Sequence, residues 1–222
     1  SVFLSVGILI TCELHKTNPI FLVFMKVLKF GGTSVGSADS IKTVADIVAS
    51  YHRNQVRCAV VVSAMGGVTD RLIALSQQAA GGDESYLDAL KDLEKHHFDT
   101  ARELINVQAQ SRVFAFLKTL FNELDDLLHG TFLLRERSPR TLDLVLSFGE
   151  RLSAYLISQY MKELGIDAQF LDAREVVRTN AAFNAAKVDF QATNRNIREY
   201  FNSNKALQII TGFVASTEEN ET

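Results

Sequence analysis

Lys29-Phe30-Gly31-Gly32-Thr33-Ser34-Val35-Gly36 joins a predicted strand to a predicted helix through two glycines and two hydroxyls. Lys26–Phe30 reads as a short strand. Ser37 or Asp39 caps the helix that follows, which carries Ile41, Val44, Ala45, Ile47 and Val48 on one face. Glycines let backbone N–H groups approach an anion closely, and a helix start offers unpaired donors with a positive dipole. Lys29 adds a point charge from the incoming strand. Together these parts suit a polyphosphate; on spacing alone they suit a plain turn equally well. The loop is not a Walker A sequence, because Lys29 precedes the glycines, and it is not G-x-G-x-x-G.

The same grammar recurs downstream. Ala59–Val62 is a β-branched run of buried-strand type that ends in Ser63-Ala64-Met65-Gly66-Gly67, and Thr69 or Asp70 opens the next helix. Ligands of open α/β sheets bind beyond the carboxyl ends of strands, so Ser63 and Thr69 are candidates to hold a carboxylate or phosphate. The alternative for Thr69 is a simple N-cap. Gly81-Gly82 separates two helices, with Asp83 capping the second, which runs towards Ile105. Val113, Phe114, Leu117, Leu120, Phe121, Leu124, Leu127 and Leu128 predict a helix ended by Gly130. A further helix spans about Arg140 to Leu164 and carries Ser147-Phe148-Gly149-Glu150-Arg151-Leu152-Ser153. A glycine there costs about 1 kcal/mol against alanine, which points to close approach by a neighbour. Glu150 beside it either receives a ligand ammonium group or is a solvated partner of a nearby arginine. Ala168–Leu171 and Leu207–Thr211 read as strands and Asn194–Phe201 as a helix. Strand, glycine turn and helix in repetition specify an α/β fold with a mostly parallel sheet.

Composition narrows the function classes. The 222 residues are 47% hydrophobic and 22% charged, with net charge −3. This excludes a disordered chain and leaves no basic footprint for nucleic acid. Two cysteines, Cys12 and Cys58, make no disulfide scaffold and agree with a cytoplasmic setting. Residues 1–24 differ from the rest: two apolar runs flank a polar stretch, neither reaches the ~20 residues of a membrane span, and no signal-peptide pattern is clear. Met25 then stands before the first patterned strand, so residues 1–24 read either as a leader or extension or as an added strand. Adjacent His96 and His97 lack metal-ligand spacing and read as solvated, so no metal ligands are assigned. Cys58 reads as packed beside a core strand, and Asp172-Ala173-Arg174 as a charge pair at a sheet edge or a site loop.

Three motifs in this order, Lys29-Phe-Gly-Gly-Thr-Ser-Val, Val62-Ser63-Ala-Met-Gly-Gly-Val-Thr69 and Phe148-Gly149-Glu150-Arg-Leu-Ser, closely resemble aspartokinases of the amino-acid kinase family. Leu171-Asp172-Ala-Arg174 and Ile210-Thr211-Gly212-Phe213-Val214 extend the resemblance over residues 25–222. Ala186-Lys187-Val188-Asp189 and the helix after it look more like the bifunctional aspartokinase–homoserine dehydrogenases. The resemblance implies a three-layer α/β/α sandwich of which this chain is the N-terminal portion. It also implies transfer of a phosphoryl group from ATP, with Mg²⁺, to the side-chain carboxylate of L-aspartate, the first step towards lysine, threonine and methionine. By motif position Lys29 is catalytic and meets the ATP phosphates, Gly31, Gly32, Thr33 and Ser34 form the phosphate loop, and Ser63, Thr69 and Glu150 hold aspartate.

The family continues into a Thr-Thr-x-Gly-Arg-Gly-Gly-Ser-Asp loop and a nucleotide lobe. Residues 25–222 are therefore expected to be part of a catalytic domain that is silent alone, with Leu207–Thr211 or a neighbour as an exposed sheet edge. The full-length protein is expected to form a homo-oligomer, with small-molecule substrates and neither nucleic acid nor membrane as a partner. Two rivals are another kinase of the family, of acetylglutamate or uridylate type, and a non-catalytic small-molecule-binding module. A dinucleotide module would place an acidic ribose-binding residue after the second strand, where Ser63 stands instead.

Overall fold

The computed structural model describes residues 25–222, so the expectation for residues 1–24 lies outside the described residues. Four apolar runs form the strands β1 (Lys26–Phe30), β2 (Cys58–Val62), β3 (Ala168–Leu171) and β4 (Leu207–Thr211). They pair in the order β1-β2-β4-β3, all parallel. Successive side chains alternate between faces. Phe30, Val60, Val62, Ala168 and Ile209 therefore enter the main core, while Val27, Lys29, Ala59, Val61, Gln208 and Ile210 belong to the opposite face. β4 is inserted between β2 and β3, so it is not the edge strand; its neighbour β3 and the first strand β1 are the edges among the described residues.

Five helices cover the core face: α1 (Ala38–Arg53), α2 (Val68–Gly81), α3 (Tyr86–Leu104), α4 (Val107–Leu134) and α5 (Pro139–Glu163). α5 is the central one. It packs on β2, β3 and β4 and is buried nearly all round from Val145 to Met161, as expected of a helix enclosed by neighbours. On the opposite face lies α6 (Phe190–Ser203), whose Tyr200 hydroxyl donates to Gln208 Oε1 at 2.9 Å. The Arg57 guanidinium, just before β2, donates to the Phe201 carbonyl at 2.9 Å. Helices, sheet and helix thus give the three-layer α/β/α arrangement. Among the described residues no helix is long and apolar enough to cross a membrane.

Several helix ends differ from expectation, each for a local reason. α2 begins at Val68 with Gly67 as N-cap in the left-handed region (φ 75°), which places Thr69 inside the first turn and not at the cap. Asp83 accepts the Ser85 N–H at 2.9 Å but precedes the helix, whose N-cap is Ser85. α4 runs past Gly130 to Leu134, because buried Thr131 and Phe132, packed 5.7 Å from the Tyr86 ring, reward another turn by more than the glycine costs. α6 starts four residues before Asn194, where Asp189 accepts the Ala192 N–H; exposed Phe190 hid that start from the apolar periodicity.

His97 is fully buried, not solvated as expected. Consecutive helix residues point about 100° apart, so one of the His96–His97 pair faces inward, on the stripe of Leu90, Leu93, Ala101 and Leu104. Its Nδ1–H donates to the Leu93 carbonyl at 2.9 Å and its ring meets Phe121 edge-on, while Nε2 has no partner. Burial pushes the imidazole down from 6.5 to about 4. Cys58 is buried beside the core, as expected, and burial raises its thiol pKa.

Two predictions follow from these helices. Between pH 6.5 and about 4 the unfolded chain binds a proton that folded His97 refuses, so stability is full above 6.5 and lost as pH falls through that window. Going from pH 6.5 to 5 should cost about 2 kcal/mol from this group alone, and urea midpoints of His97→Leu measured over that range should lack this loss. The two glycines in helix interiors, Gly130 and Gly149, should respond in opposite directions. A Cβ at Gly130 meets nothing within 4 Å, so Gly130→Ala should add about 0.5–1 kcal/mol of helix propensity. A Cβ at Gly149 would lie 2.7 Å from Ala64 Cβ, so Gly149→Ala should lose about 1–2 kcal/mol despite the same propensity gain. Thermal melts of the two variants check the sign.

Candidate active site

A parallel sheet delivers the carboxyl ends of its strands to one side, where their unpaired backbone groups face a crevice. Here β1 ends in Gly31-Gly32, β2 in Ser63-Ala64 and β4 in Gly212-Phe213. The strand pairing continues one step into these loops: Ser63 N–H donates to the Phe30 carbonyl at 3.1 Å and Gly212 N–H to the Val62 carbonyl at 2.8 Å. After β1 the chain turns through a 3₁₀ segment, Gly32–Val35, before α1. Gly32 is required there by close approach, since a Cβ would stand 3.1 Å from the Ala64 carbonyl oxygen. α5 meets the same Ser63–Ala64 turn from below, with Gly149 against Ala64 and the Ser153 hydroxyl donating to the Ser63 carbonyl at 2.7 Å.

These loops and α5 border a cleft of about 1440 Å³ that extends over the second face of the sheet towards α6. Gly32, Thr33, Ser63, Thr69 and Glu150 line it together. Residues separated by more than a hundred positions in the chain therefore share one wall. Gly31 and Ser34 are exposed on the rim and outside the lining, and Lys29 also stands at the rim. The Lys29 ammonium lies 4.7 Å from the centroid of the Phe213 ring, which does line the cleft. Phe213 was not among the residues expected in the site. It is 89% exposed, and its φ of 36° is a strained value for a bulky residue, of the kind that gathers at functional sites. Its place directly after Thr211-Gly212 at a strand end was the available signal.

Glu150 is 9% exposed, and burial raises its carboxyl from 4.5 to about 7, opposed in part by the Ala64 backbone N–H. It has no cationic partner among the described residues, so it is neither solvated nor paired with the adjacent arginine. Arg151 points elsewhere: it donates to Glu123 Oε2 at 3.0 Å, lies 3.5 Å from Asp172 Oδ2 and stacks on the Phe148 ring. Asp172 is committed to structure as well, gripped by Arg174 at 2.6 and 3.0 Å, while Arg174 reaches Thr222 Oγ1 at 3.1 Å. The expected Asp172–Arg174 charge pair is present, and Ala173 between them lines the cleft. No group of three or more His, Cys, Asp or Glu side chains suited to a metal ion gathers among the described residues.

The arrangement has a buried carboxylate without a cation, the Ser63 and Thr69 hydroxyls lining the same cleft, and a glycine turn with a lysine at the open end. That constellation suits an amino acid bearing a second anionic group, next to a phosphate. The chain is similar to several known proteins. The chain is 35% identical over 196 residues to the chloroplastic bifunctional aspartokinase/homoserine dehydrogenase 1 of Arabidopsis thaliana, covering 87% of this chain and 21% of that protein. It is 30% identical over 213 residues to chloroplastic aspartokinase 1 of the same plant, covering 91% of this chain and 36% of the other. The crystal structure of E. coli aspartokinase III in complex with aspartate and ADP superposes with a TM-score of 0.77 at 30% identity, over 87% of this chain and 41% of that one. The chain thus spans between about a fifth and two fifths of the relatives it matches. The model of the amino acid kinase family matches residues 25–222, and the chain belongs to that family.

Proposed function

We propose that this chain supplies the amino-acid site and part of the phosphate site of an aspartate kinase, which transfers the γ-phosphoryl group of ATP to the side-chain carboxylate of L-aspartate. The observation that carries the reading is Glu150: a buried carboxylate without a cation, facing a cleft shared with Ser63, Thr69 and the Gly32-Thr33 turn. Burying a charge without a partner is costly, and a ligand ammonium group is the partner that would relieve it. The aspartate and ADP held by the similar E. coli enzyme support the choice of substrates.

The chemistry fits the residues. The nucleophile is a carboxylate with a pKa of about 3.9, already ionised at neutral pH, so no general base is needed. The task is to hold carboxylate and phosphoryl group in line while neutralising charge. Ser63 and Thr69 would orient the amino acid, Glu150 would anchor its ammonium group, and Lys29 with the loop of Gly31, Gly32, Thr33 and Ser34 would meet the phosphates. Mg²⁺ bound with the nucleotide would supply further neutralisation. The setting we propose is cytoplasmic, on composition; the plant relatives are named chloroplastic. The product, 4-phospho-L-aspartate, would enter lysine, threonine and methionine synthesis.

A coupled ADP-release assay on the full-length protein tests the assignment. Turnover should require L-aspartate and should not occur with N-acetylglutamate or UMP; the reverse would place the chain elsewhere in its family. Lys29→Ala should lower kcat by roughly 10²–10³-fold, with an unchanged melting temperature because the side chain is exposed.

Glu150→Gln should raise the aspartate KM roughly 10- to 100-fold and leave the ATP KM nearly unchanged. The pH dependence carries its own sign. With the free carboxyl at about 7, the aspartate KM should climb as pH falls below 7 and Glu150 is protonated, and the Gln variant should be flat across that limb. For stability the sign is opposite: a carboxyl raised from 4.5 to about 7 loses stability as pH rises through that window. Glu150→Gln should therefore melt higher than the parent at pH 8.

A further inference from the structure

Ser153 is fully buried, takes no part in the cleft wall, and is not needed by any step above. Serines inside helices commonly return their hydroxyl proton to the carbonyl three or four residues back. Ser158 and Ser147 do so on this helix, at 2.7 Å to Tyr155 and Leu144. Ser153 sits 3.2 Å from the Glu150 carbonyl, but its shorter contact is the 2.7 Å bond across to the Ser63 carbonyl, ninety residues earlier in the chain. The hydroxyl is one turn beyond Gly149, whose missing Cβ lets α5 reach Ala64. Its acceptor is the carbonyl of the peptide whose N–H, on Ala64, holds down part of the rise in the Glu150 carboxyl pKa.

We propose that Ser153 is a positioning residue for the amino-acid substrate, whose hydroxyl clamps the Ser63–Ala64 peptide to α5 and so sets the spacing between the Ser63 hydroxyl and the Glu150 carboxylate. The proposal deepens, and rests on, the aspartate-kinase reading of this cleft. Its physical basis is that one peptide unit serves two ends. The carbonyl is fixed by Ser153, the N–H of the same peptide favours the charged form of Glu150, and the Ser63 N–H is tied to Phe30 on the phosphate side. The neighbouring Ala64 carbonyl is confined by Gly32, where a Cβ would stand 3.1 Å from its oxygen, so freeing one end leaves rotation about the peptide as its main freedom. The other charged groups lining the cleft do not substitute for the clamp. Asp143 on α5 accepts the Asn184 N–H at 2.7 Å, Asp70 lines the cleft from the first turn of α2 and Arg198 from α6, and none of the three is bonded to the Ser63–Ala64 peptide; Lys29 stands at the rim beside Phe213.

The experiment uses the full-length protein and three substitutions, Ser153→Ala, Ser153→Cys and Ser153→Thr. Alanine deletes the donor, cysteine keeps the size with a weak donor, and threonine restores the hydroxyl. One readout needs no turnover: the titration of the Glu150 carboxyl carbon followed by NMR in the ligand-free protein. Loss of the clamp should loosen the Ala64 N–H from the carboxylate, so the Ser153→Ala and Ser153→Cys midpoints should move to higher pH while Ser153→Thr stays at the parent value. The other readout is kinetic: the aspartate KM should rise roughly tenfold in the first two variants, with the ATP KM unchanged. An unmoved Glu150 titration in folded Ser153→Ala overturns the proposal whatever the enzyme's substrate. So does an equal rise in both KM values. Parent protein without aspartate-dependent turnover would instead overturn the function proposed above, with the titration still deciding on Ser153. Circular dichroism melts establish that each variant is folded, and the cysteine variant carries the test if alanine fails to fold.

Discussion

The backbone approach at Ser63–Ala64 is the constraint on which the rest of the site depends. Three elements converge on that one turn: the loop after β1 through Gly32, the strand β2 that precedes it, and α5 through Gly149. Each contact is made by backbone or by the smallest side chains, because any larger group would push the partners apart by more than a packed interior tolerates. The result is a rigid seat beneath the cleft, with its functional groups on elements whose positions are mutually determined. A site that must bring two anions together needs such a seat, since misplacement by an ångström weakens both charge neutralisation and alignment.

Adjacent residues on α5 divide the electrostatic work. Arg151 is satisfied by Glu123, Asp172 and the Phe148 ring, and it ties the helix to α4 and to the end of β3. Glu150, one residue earlier and about 100° around the helix, is left buried without a cation. The first arrangement serves the fold and the second opposes it, a contrast expected where a group is kept in readiness for a ligand. The strained backbone of Phe213 beside Lys29 belongs with Glu150 in this respect. Stability for both comes from elsewhere, in the closely packed leucine and aromatic stripes of α2 to α5.

The strands and most helices could be read directly from the sequence because their signals are local. A parallel strand covered on its core face is a short unbroken apolar run, and a helix packed on one side repeats every three to four residues. Helix ends were less legible at Gly130, Thr69 and Asn194, where tertiary contacts or a glycine cap outweighed the local preference. His97 was legible in principle, since it continues the Leu90–Leu93–Ala101 stripe; the neighbouring His96 disguised it as half of a polar pair.

By itself the sequence determined the α/β order of elements, the glycine and hydroxyl endings of the strands, and the identity of the residues that gather there, because these follow from periodicity and residue chemistry over ten or so positions. Only the tertiary structure decided that β4 would enter the middle of the sheet, that Glu150 would lack a cation while Arg151 had two carboxylates and a ring, that Phe213 would meet Lys29, and that Ser153 would reach Ser63. Those outcomes depend on distances between segments far apart in the chain. Such distances are set when the helix layer closes on the sheet, and no local pattern of residues encodes them.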